Sequence, residues 1–554
     1  MNYNIAQTLP EMARAHPERT GLICKSGRAY HSWTFREMDN TADWFAHRLS
    51  ERGVKRGDRV MLMVKPSLEF ITLTFALFKI GAIIILIDPG MGYRNLLQCI
   101  GQVKPEVFIG IAKAYIFKFV FPRTFRSVRI SICIGRFSWW PFSSVLSAEM
   151  PAKSRAAENR FPVAPMGAED LAAILFTTGS TGPPKGVRYE HSIFQAQLQV
   201  IRDYYGIGPE DTDQPAFPLF ALFSAGLGAC SVIPEMNPAK PAQVDPAKFV
   251  KTIRAYRVTY SFGSPAIWNV VSRYCLDHDV KLGSVKNILM AGAPVPGELL
   301  ARTVAILPDD AEIHTPYGAT ESLPITSITA REILADTWEK TRTGKGVCVG
   351  RPLPSMTIGI IKISDNPIQN WDESLLLPHY ETGEIVVKGP VVTRAYDGND
   401  RENRLAKIAD GEGFWHRMGD LGYLDEKNRL WFCGRKGHRV ITETGTMYSV
   451  CCEALFNEHP AVFRSALVGV GPAGKQVPVI IVELHDKAGK PETVVTELHE
   501  VAQRNELTRA VRHIYVHPEF PVDIRHNAKI FREKLGKWAE GKLIRQGGSG
   551  REKL

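Results

Sequence analysis

Cysteine is scarce and unpatterned in this chain of 554 residues. The nine cysteines are an odd number, no Cys-x-x-Cys occurs, and Cys451 and Cys452 are adjacent. Disulfide frameworks and zinc sites both need regular cysteine spacings, so this pattern favours neither. We therefore expect a reducing compartment, and the cytoplasm is the predicted location.

Long apolar segments are also absent. The most apolar stretch, residues 75–87, contains Lys79 and is shorter than the roughly 20 residues that cross a bilayer. Residues 1–10 lack the apolar core of a secretory signal. We interpret residues 75–87 as a core helix followed by a strand.

Negative charge is in deficit, with 58 Asp and Glu against 68 Lys and Arg, which leaves a net charge of +10. The basic residues are scattered, and no nucleic-acid-binding motif accompanies them. We therefore expect no nucleic-acid partner, and the excess suits an anionic substrate such as a polyphosphate.

Residues 176–186, Phe-Thr-Thr-Gly-Ser-Thr-Gly-Pro-Pro-Lys-Gly, form the most distinctive stretch. An apolar run at 171–176 predicts a buried strand before it, and a helix is predicted over 191–204. Glycines, hydroxyls and one lysine in a loop between a strand and a helix are typical of phosphate binding. The loop is not a Walker P-loop, because Gly186 follows Lys185 where that motif needs Ser or Thr. The alternative is a mobile surface loop.

This loop resembles the signature of the adenylate-forming superfamily, which includes acyl-CoA synthetases, peptide-synthetase adenylation domains and luciferases. The resemblance implies that ATP is bound with Mg²⁺. The phosphate-binding residues that it implies are Thr177, Thr178, Gly179, Ser180, Thr181, Gly182 and Lys185.

Further motifs follow in the order that this superfamily has them. By resemblance, Gly292, Ala293 and Pro294 form the adenine wall, Tyr317 stacks on adenine, and Gly318 belongs to the same nucleotide-binding motif. Thr320 is expected to contact the α-phosphate or the acyl carbonyl, and Glu321 to hold Mg²⁺, a cation that prefers oxygen ligands. The alternative for this motif is a helix N-terminus, with Thr320 as its cap and Glu321 favouring the dipole.

The last motifs lie in the final third of the chain. By resemblance, Asp420 binds the ribose hydroxyls, Arg435 lies at a hinge and also contacts the ribose or phosphate, and Lys529 is the catalytic lysine that supports the reacting centre. A solvated surface lysine is the alternative for Lys529, and Ala528 replaces the glycine that usually precedes it.

The predicted fold class is α/β, because helices and strands alternate over residues 1–100. The resemblance adds a large N-terminal domain of several subdomains, residues 1–434, that binds ATP and the acyl group. It also adds a small, mobile α+β domain, residues 435–554, that carries Lys529.

The acyl substrate is expected to be hydrophobic. Ala221 stands where this superfamily often has histidine, which leaves an apolar and roomier wall. The predicted substrate-binding residues are Phe220, Ala221, Phe223 and Gly263.

Two departures weaken a thioester-forming function. Gly437 stands where thioester-forming members have a hinge Asp or Lys, and Ser449 replaces a proline of the pantetheine channel. These features, with residues 262–266, 315–321 and 520–529, resemble the β-lactone synthetases of bacterial long-chain olefin biosynthesis. Such enzymes adenylate a 2-alkyl-3-hydroxy fatty acid and close it to a β-lactone. The implied partners are a thiolase, a reductase and a lactone decarboxylase.

Other possibilities stay open at this point. One is a long-chain acyl-CoA or acyl-AMP ligase, and another is a non-catalytic nucleotide-binding scaffold. His191 and His314 are candidates for the base of lactone closure, and neither is assigned. Residues 113–144, basic and aromatic with Trp139 and Trp140, are either an ordinary strand–helix–strand unit or a peripheral membrane contact.

Overall fold

A computed structural model describes residues 2–135, 144–145, 160–177, 183–486, 489–522 and 530–548. The described residues between 2 and 190 form five α-helices and nine strands. They are α1 Thr8–Ala15, β1 Thr20–Ser26, β2 Ala29–Thr34, α2 Phe35–Glu51, β3 Arg59–Met63, α3 Leu68–Ile80, β4 Ile83–Leu86, α4 Tyr93–Val103, β5 Val107–Gly110, α5 Ala112–Val120, β6 Ile130–Cys133, β7 Ser144–Val145, β8 Leu171–Phe176 and β9 Gly186–Glu190.

The next part of the chain continues the alternation of helix and strand. Its elements are α6 His191–Tyr205, β10 Thr212–Pro215, α7 Ala221–Gly226, β11 Cys230–Val232, α8 Pro246–Ala255, β12 Tyr260–Gly263, α9 Pro265–Asp277, β13 Asn287–Met290, α10 Gly297–Val304 and β14 Glu312–His314.

Strands dominate from Tyr317 to Arg435. The elements are β15 Tyr317–Ala319, β16 Ser322–Ser327, α11 Ala330–Glu332, a π-helical turn Ile333–Thr337, α12 Trp338–Arg342, β17 Val347–Pro352, β18 Thr357–Ile361, β19 Gly383–Lys388, α13 Asp400–Ala406, β20 Lys407–Asp410, β21 Gly413–Leu424 and β22 Leu430–Arg435.

A small α+β domain ends the chain. After the 3₁₀ turn Lys436–His438 it contains β23 Val440–Thr442, β24 Gly445–Met447, α14 Ser449–Asn457, β25 Val462–Val470, β26 Val477–Leu484, α15 Pro491–Arg504, β27 His513–Val516 and α16 Arg532–Gly548. The predicted boundary after residue 434 stays a prediction, although β22 crosses it and ends at Arg435.

Three large sheets form the N-terminal part. The first has the order β7-β6-β5-β3-β4-β8-β9 and the second β14-β13-β12-β10-β11-β1-β2. Both are parallel except at one edge, where β8 pairs with β9 and β1 with β2 in antiparallel fashion. The third sheet is antiparallel, with the order β15-β16-β17-β22-β21-β19-β18, and β20 pairs with β21. The α/β class predicted from the alternation of elements is therefore confirmed.

Helix α3 shows how local signals and packing agree. Ser67 accepts a hydrogen bond from the Phe70 amide at the start of α3, and Gly81 ends the helix with φ of 81°. The helix is buried on all sides, and Lys79 lies between Asp39 and Asp43 at 2.5 Å from each. Residues 75–87 are thus the core helix and strand that were predicted, with their one charge neutralised in the interior.

The described ends of the glycine-rich stretch at 176–186 lie on two paired strands. Phe176 ends β8 and Gly186 begins β9, and the two residues are antiparallel partners. The helix predicted over 191–204 is confirmed as α6, His191–Tyr205. Strand β9, which the sequence did not predict, lies between the stretch and this helix, because its residues pair with β8.

Candidate active site

The carboxyl ends of the parallel strands meet around one large cavity of about 2040 Å³. Residues that end or follow β3, β4, β5, β8, β12 and β13 all line it, as is usual for ligand sites in open α/β sheets. The third sheet and the C-terminal domain close the other sides. The lining strand-end residues are Met63, Leu86, Ile111, Thr177, Gly263 and Ala291.

Three predicted nucleotide-binding residues form a hydrogen-bonded group on this cavity. The Tyr317 hydroxyl donates to Asp420 Oδ2 at 2.6 Å, and Arg435 Nη1 lies 3.1 Å from Asp420 Oδ1. Asp420 and Arg435 face each other across β21 and β22, which sets their spacing. Burial and the adjacent Asp420 carboxylate raise the pKa of Tyr317 well above its usual range. The Asp420 carboxylate raises the pKa of Arg435, so the guanidinium stays charged.

The motif at residues 317–321 is a tight β-hairpin. Tyr317–Ala319 pairs with Ser322–Ser327, and Thr320 and Glu321 occupy the turn. The alternative of a helix N-terminus capped by Thr320 is therefore wrong. A Cβ on Gly318 would lie 2.6 Å from the Ser322 carbonyl oxygen, so the close approach of the two strands requires glycine here.

Two tyrosines that the sequence analysis missed hold this turn in place. The Tyr189 hydroxyl donates to the Thr320 carbonyl oxygen at 2.7 Å, and the Tyr396 hydroxyl donates to Glu321 Oε1 at 2.8 Å. Burial and the nearby Glu321 carboxylate raise the pKa of both phenols, which keeps them as donors. Tyr189 lies 131 residues from Thr320 in the sequence, and Tyr396 lies 75 residues from Glu321. Only the folded chain brings the two tyrosines to this turn.

Lys185 and Glu402 form an ion pair on the cavity wall. The Lys185 ammonium also lies 5.1 Å from the centre of the Tyr396 ring. Because Glu402 already neutralises Lys185, an anionic ligand must compete with this carboxylate for the lysine. No sequence motif pointed to Glu402, which lies in α13.

A buried lysine lies behind the turn. Lys407 donates to the Thr393 carbonyl oxygen, and Thr393 in turn donates its hydroxyl to the Glu321 carbonyl oxygen at 3.0 Å. Burial lowers the pKa of Lys407 to about 7, while Glu321 and Glu190 act in the opposite direction. Lys407 therefore supports Glu321 indirectly. It binds the carbonyl oxygen of Thr393, and the hydroxyl of Thr393 binds the backbone of Glu321.

The predicted adenine wall lines the cavity as a turn after β13. Gly292, Ala293 and Pro294 all contribute to the surface, and Gly292 has φ of 98°. This left-handed conformation is open to glycine at little cost, which explains the residue type.

Aromatic side chains form the predicted acyl wall. Phe220 stacks on Phe262 with ring centres 4.0 Å apart, and both line the cavity together with Phe223. Gly263 also lines it, and a Cβ there would lie 2.7 Å from Trp268 Nε1. Ala221 is fully buried and is not among the described residues that line the cavity, so its role stays a prediction.

The C-terminal domain contributes a charged surface to the same cavity. Arg532 Nη2 lies 2.8 Å from both carboxylate oxygens of Glu453, and His438 lies beside this pair with Arg532 Nη1 3.5 Å from its Nδ1. Burial and the two arginines Arg532 and Arg435 lower the pKa of His438 to about 3. This neutral histidine was not anticipated.

Several predicted residues lie outside the described part of the chain. They are Thr178, Gly179, Ser180, Thr181, Gly182, Lys529, Trp139 and Trp140. Their neighbours Thr177, Pro183 and Ile530 line the cavity.

The two histidines that were considered as bases lie elsewhere. His191 is fully buried, and burial lowers its pKa to about 4. His314 is buried beside Glu312, with Nε2 3.2 Å from the carboxylate. Neither is among the described residues that line the cavity.

The donor set fits a metal ion that is brought with a ligand. Within the described ranges, no group of three or more His, Cys, Asp or Glu side chains is placed to hold an ion. Glu321 lines the cavity as a single carboxylate, which suits Mg²⁺, since this ion commonly takes one or two carboxylates plus phosphate and water oxygens.

Known proteins share this architecture along the whole chain. The chain is 42% identical over 554 residues to the olefin beta-lactone synthetase of Stenotrophomonas maltophilia strain K279a, covering 98% of both proteins. The fold matches the amide bond synthetase McbA of Marinactinospora thermotolerans, with a TM-score of 0.77, 21% identity and 96% and 99% coverage of the two chains. It also matches the o-succinylbenzoate coenzyme A synthetase of Bacillus subtilis in complex with ATP and magnesium, with a TM-score of 0.74, 21% identity and coverage of 95% and 98%.

The family assignment rests on a further match. A model described as AMP-binding enzyme matches residues 9–397, which include the glycine-rich stretch at 176–186 and the hairpin turn with Glu321. Together with the full-length similarity, this match indicates an AMP-forming ligase or synthetase. The chain belongs to the family of AMP-binding enzymes.

Proposed function

We propose that the protein adenylates a long-chain 2-alkyl-3-hydroxy fatty acid with ATP and closes the acyl-adenylate to a β-lactone, releasing AMP and pyrophosphate. The observation that carries this proposal is the 42% identity to an olefin beta-lactone synthetase across 98% of both chains. The large cavity also supports the proposal, because it has a polar side that could take the nucleotide and an apolar side that could take the alkyl chains.

The polar side of the cavity provides the nucleotide site. Asp420 accepts hydrogen bonds from the ribose hydroxyls, with Tyr317 and Arg435 holding its carboxylate, and residues 292–294 contact the adenine. Lys185 and the loop from Thr177 to Gly182 bind the pyrophosphate that leaves. The contacts among Tyr317, Asp420 and Arg435 support these roles, because they orient the carboxylate before any ligand binds.

Glu321 would hold Mg²⁺ with phosphate and water oxygens, and the bound ion would neutralise phosphate charge. The hydrogen bond from Tyr396 fixes one oxygen of this carboxylate. Thr320 lies in the same turn and is proposed to contact the α-phosphate or the acyl carbonyl. Lys529 is proposed to support the reacting centre, and its neighbour Ile530 lines the cavity.

The reaction then has two steps. A carboxylate oxygen of the substrate attacks the α-phosphorus, and the bond from that phosphorus to pyrophosphate breaks. The substrate's 3-hydroxyl oxygen next attacks the acyl carbonyl carbon, the bond to AMP breaks, and the hydroxyl proton is released. The second nucleophile is part of the substrate, so its effective concentration is high without any second binding site.

The apolar side of the cavity is proposed to hold the alkyl chains. Phe220, Phe223 and Phe262 present ring surface there, and Gly263 allows close approach to the backbone. The thiolase, reductase and lactone decarboxylase of olefin biosynthesis are the proposed pathway partners.

A long-chain acyl-CoA ligase is the second candidate. One matched structure is named a coenzyme A synthetase, which favours this alternative, although its 21% identity supports only the fold. In that case CoA sulfur, and not the 3-hydroxyl, would displace AMP.

The test is to incubate the protein with Mg·ATP and a synthetic 2-alkyl-3-hydroxy fatty acid, with and without CoA, and to identify products by NMR. We expect a β-lactone and AMP in both reactions. A matched substrate without the 3-hydroxyl is the control and should stop at the adenylate. An acyl-CoA formed only when CoA is present would contradict lactone formation and establish the ligase.

A further inference from the structure

Helix α5, Ala112–Val120, presents an apolar face to solvent. Ile116, Phe119 and Val120 have 65%, 64% and 58% of their surface exposed. Their spacing of three and four residues puts them on one side of the helix. The other side is packed, since Tyr115 is buried and its ring lies 5.3 Å from that of Phe108. The packed side therefore fixes α5 in place and leaves the face with Ile116, Phe119 and Val120 exposed.

The sequence before, within and after α5 is rich in basic residues, of which Arg129 is ion-paired with Asp58. Residues 89–135 contain seven basic residues and one acidic residue, Glu106. Glu106 is engaged by the Arg59 backbone amide at 3.0 Å. Arg123 and Arg126, just after α5, are exposed. The basic residues of this segment are Arg94, Lys104, Lys113, Lys118, Arg123, Arg126 and Arg129.

The same helix borders the large cavity. Lys113, Ala114 and Phe117 line it, one helical turn or less from the exposed Ile116. Ile111, directly before the helix, lines it as well. The apolar face thus lies beside a lip of the cavity that holds the proposed acyl site.

We propose that α5 docks the protein on the surface of an anionic phospholipid membrane. Ile116, Phe119 and Val120 enter the boundary between headgroups and acyl chains, and the exposed Arg123 and Arg126 bind lipid phosphates. Exposed apolar side chains with basic neighbours and almost no acidic ones are the combination that such a surface attracts. Among the described residues, no helix is long and apolar enough to cross a membrane.

This orientation would bring the cavity lip to the membrane surface. A long-chain acid could then pass from the lipid to the cavity along Lys113 and Phe117 without crossing water. This access route rests on the proposed function, whereas the docking itself does not.

The test is sedimentation of the full-length protein with vesicles of phosphatidylcholine alone or with added phosphatidylglycerol. We expect retention that requires phosphatidylglycerol and weakens with salt. The double variant Ile116→Glu/Phe119→Glu should lower the bound fraction by about tenfold or more. It replaces two apolar side chains that would be buried in the membrane with charged ones. Ile544→Glu is the matched control, since Ile544 is 69% exposed on α16, and it should bind as the wild type does.

A charge-reversal variant separates the electrostatic contribution to membrane binding from the apolar one. Arg123→Glu/Arg126→Glu should be retained less than the wild type at low salt, and this difference between the two proteins should be smaller at high salt. Absence of wild-type retention, or equal retention of the Ile116→Glu/Phe119→Glu variant, overturns the proposal. Sedimentation velocity without lipid tests whether a second copy of the protein, and not a membrane, binds this face. If the wild type self-associates through α5 and does not bind vesicles, the face is an interface between copies and the membrane proposal fails.

Activity assays keep this result distinct from the proposed reaction. ATP-dependent turnover of acid presented in vesicles should fall in the Ile116→Glu/Phe119→Glu variant, while turnover of acid in detergent micelles should not. If no variant or wild type turns over the acid, vesicle retention still decides the docking.

Discussion

The Tyr317 hydroxyl lies 2.6 Å from Asp420 Oδ2 and joins the hairpin β15–β16 to strand β21. The two residues are 103 positions apart in the sequence. This hydrogen bond occupies one acceptor position of the Asp420 carboxylate, which is proposed to bind ribose, and holds the Tyr317 ring at the cavity. Nucleotide binding is therefore expected to depend on both Tyr317 and Asp420, but not equally.

Replacing Asp420 should cost more than replacing Tyr317. Asp420→Asn removes the charged acceptor and should raise the KM for ATP by about 10- to 100-fold, since hydrogen bonds to charged groups contribute about 1.5–3 kcal/mol. Tyr317→Phe keeps the ring and should raise it less than about tenfold. Pyrophosphate release against ATP concentration measures both. An equal effect of the two substitutions would mean that Asp420 acts only by holding Tyr317.

Glu321 should set the magnesium requirement. Glu321→Gln removes the proposed metal-binding charge and should raise the Mg²⁺ concentration for half-maximal pyrophosphate release by about tenfold or more. Tyr396→Phe removes only the hydrogen bond to Oε1 and should have a smaller effect in the same direction. Unchanged Mg²⁺ dependence in Glu321→Gln would contradict the metal assignment.

The ion pair between Lys185 and Glu402 predicts opposite effects for its partners. Lys185→Met should raise the Kd for a non-hydrolysable ATP analogue by about tenfold or more, because the proposed phosphate-binding charge is lost. Glu402→Gln frees the lysine from its competing carboxylate and should lower this Kd by a few-fold. Isothermal titration with the analogue measures both. Weaker binding in Glu402→Gln would show that Glu402 orients Lys185 for the nucleotide.

Gly263 should tolerate no side chain. A Cβ there would lie 2.7 Å from Nε1 of the fully buried Trp268, and overpacking of this kind costs about 1–3 kcal/mol. Gly263→Ala should lower the thermal unfolding midpoint by a few degrees. Gly283→Ala is the control, because no atom lies within 4 Å of the corresponding Cβ. Equal midpoints for the two variants would contradict the packing argument.

Asp213 should make stability depend on pH. Its Oδ2 accepts from the Ser224 hydroxyl at 2.5 Å, and burial raises its pKa to about 8. Between the ordinary pKa of aspartate and pH 8, Asp213 is ionised in the unfolded chain but stays protonated in the folded protein. Its contribution to the free energy of unfolding is therefore full at low pH and falls by about 1.4 kcal/mol per pH unit as pH rises towards 8.

Asp213→Asn removes this titration. The urea unfolding midpoint of the variant, relative to the wild type, should be higher at pH 8 than at pH 5. The exposed Asp309→Asn should show the same difference from the wild type at both pH values. A pH-independent difference for Asp213→Asn would mean that the carboxylate is already ionised in the folded protein.

Local patterns were sufficient for much of the fold. Strand β8 and helix α6 were predicted within one residue of their observed bounds, because the apolar patterns that mark them are contiguous in sequence. Strand β9 was missed, since its five residues form a strand only by pairing with β8. The alternative of a helix cap at Thr320 failed for the same reason, as β15 exists only through pairing with β16.

The sequence by itself determined which residues could be proposed for a nucleotide site. The glycine-rich loop, Tyr317–Glu321, Asp420 and Arg435 lie in short motifs whose residue types suit a nucleotide. Only the tertiary structure decided how these groups are held. Tyr189, Tyr396 and Glu402 contact the motifs across long separations and carry no local pattern, and the exposed face of α5 became visible only once its other side was packed. The physical reason is that residue type is a local property, whereas burial, ion pairing and exposure depend on which distant segments the folded chain brings together.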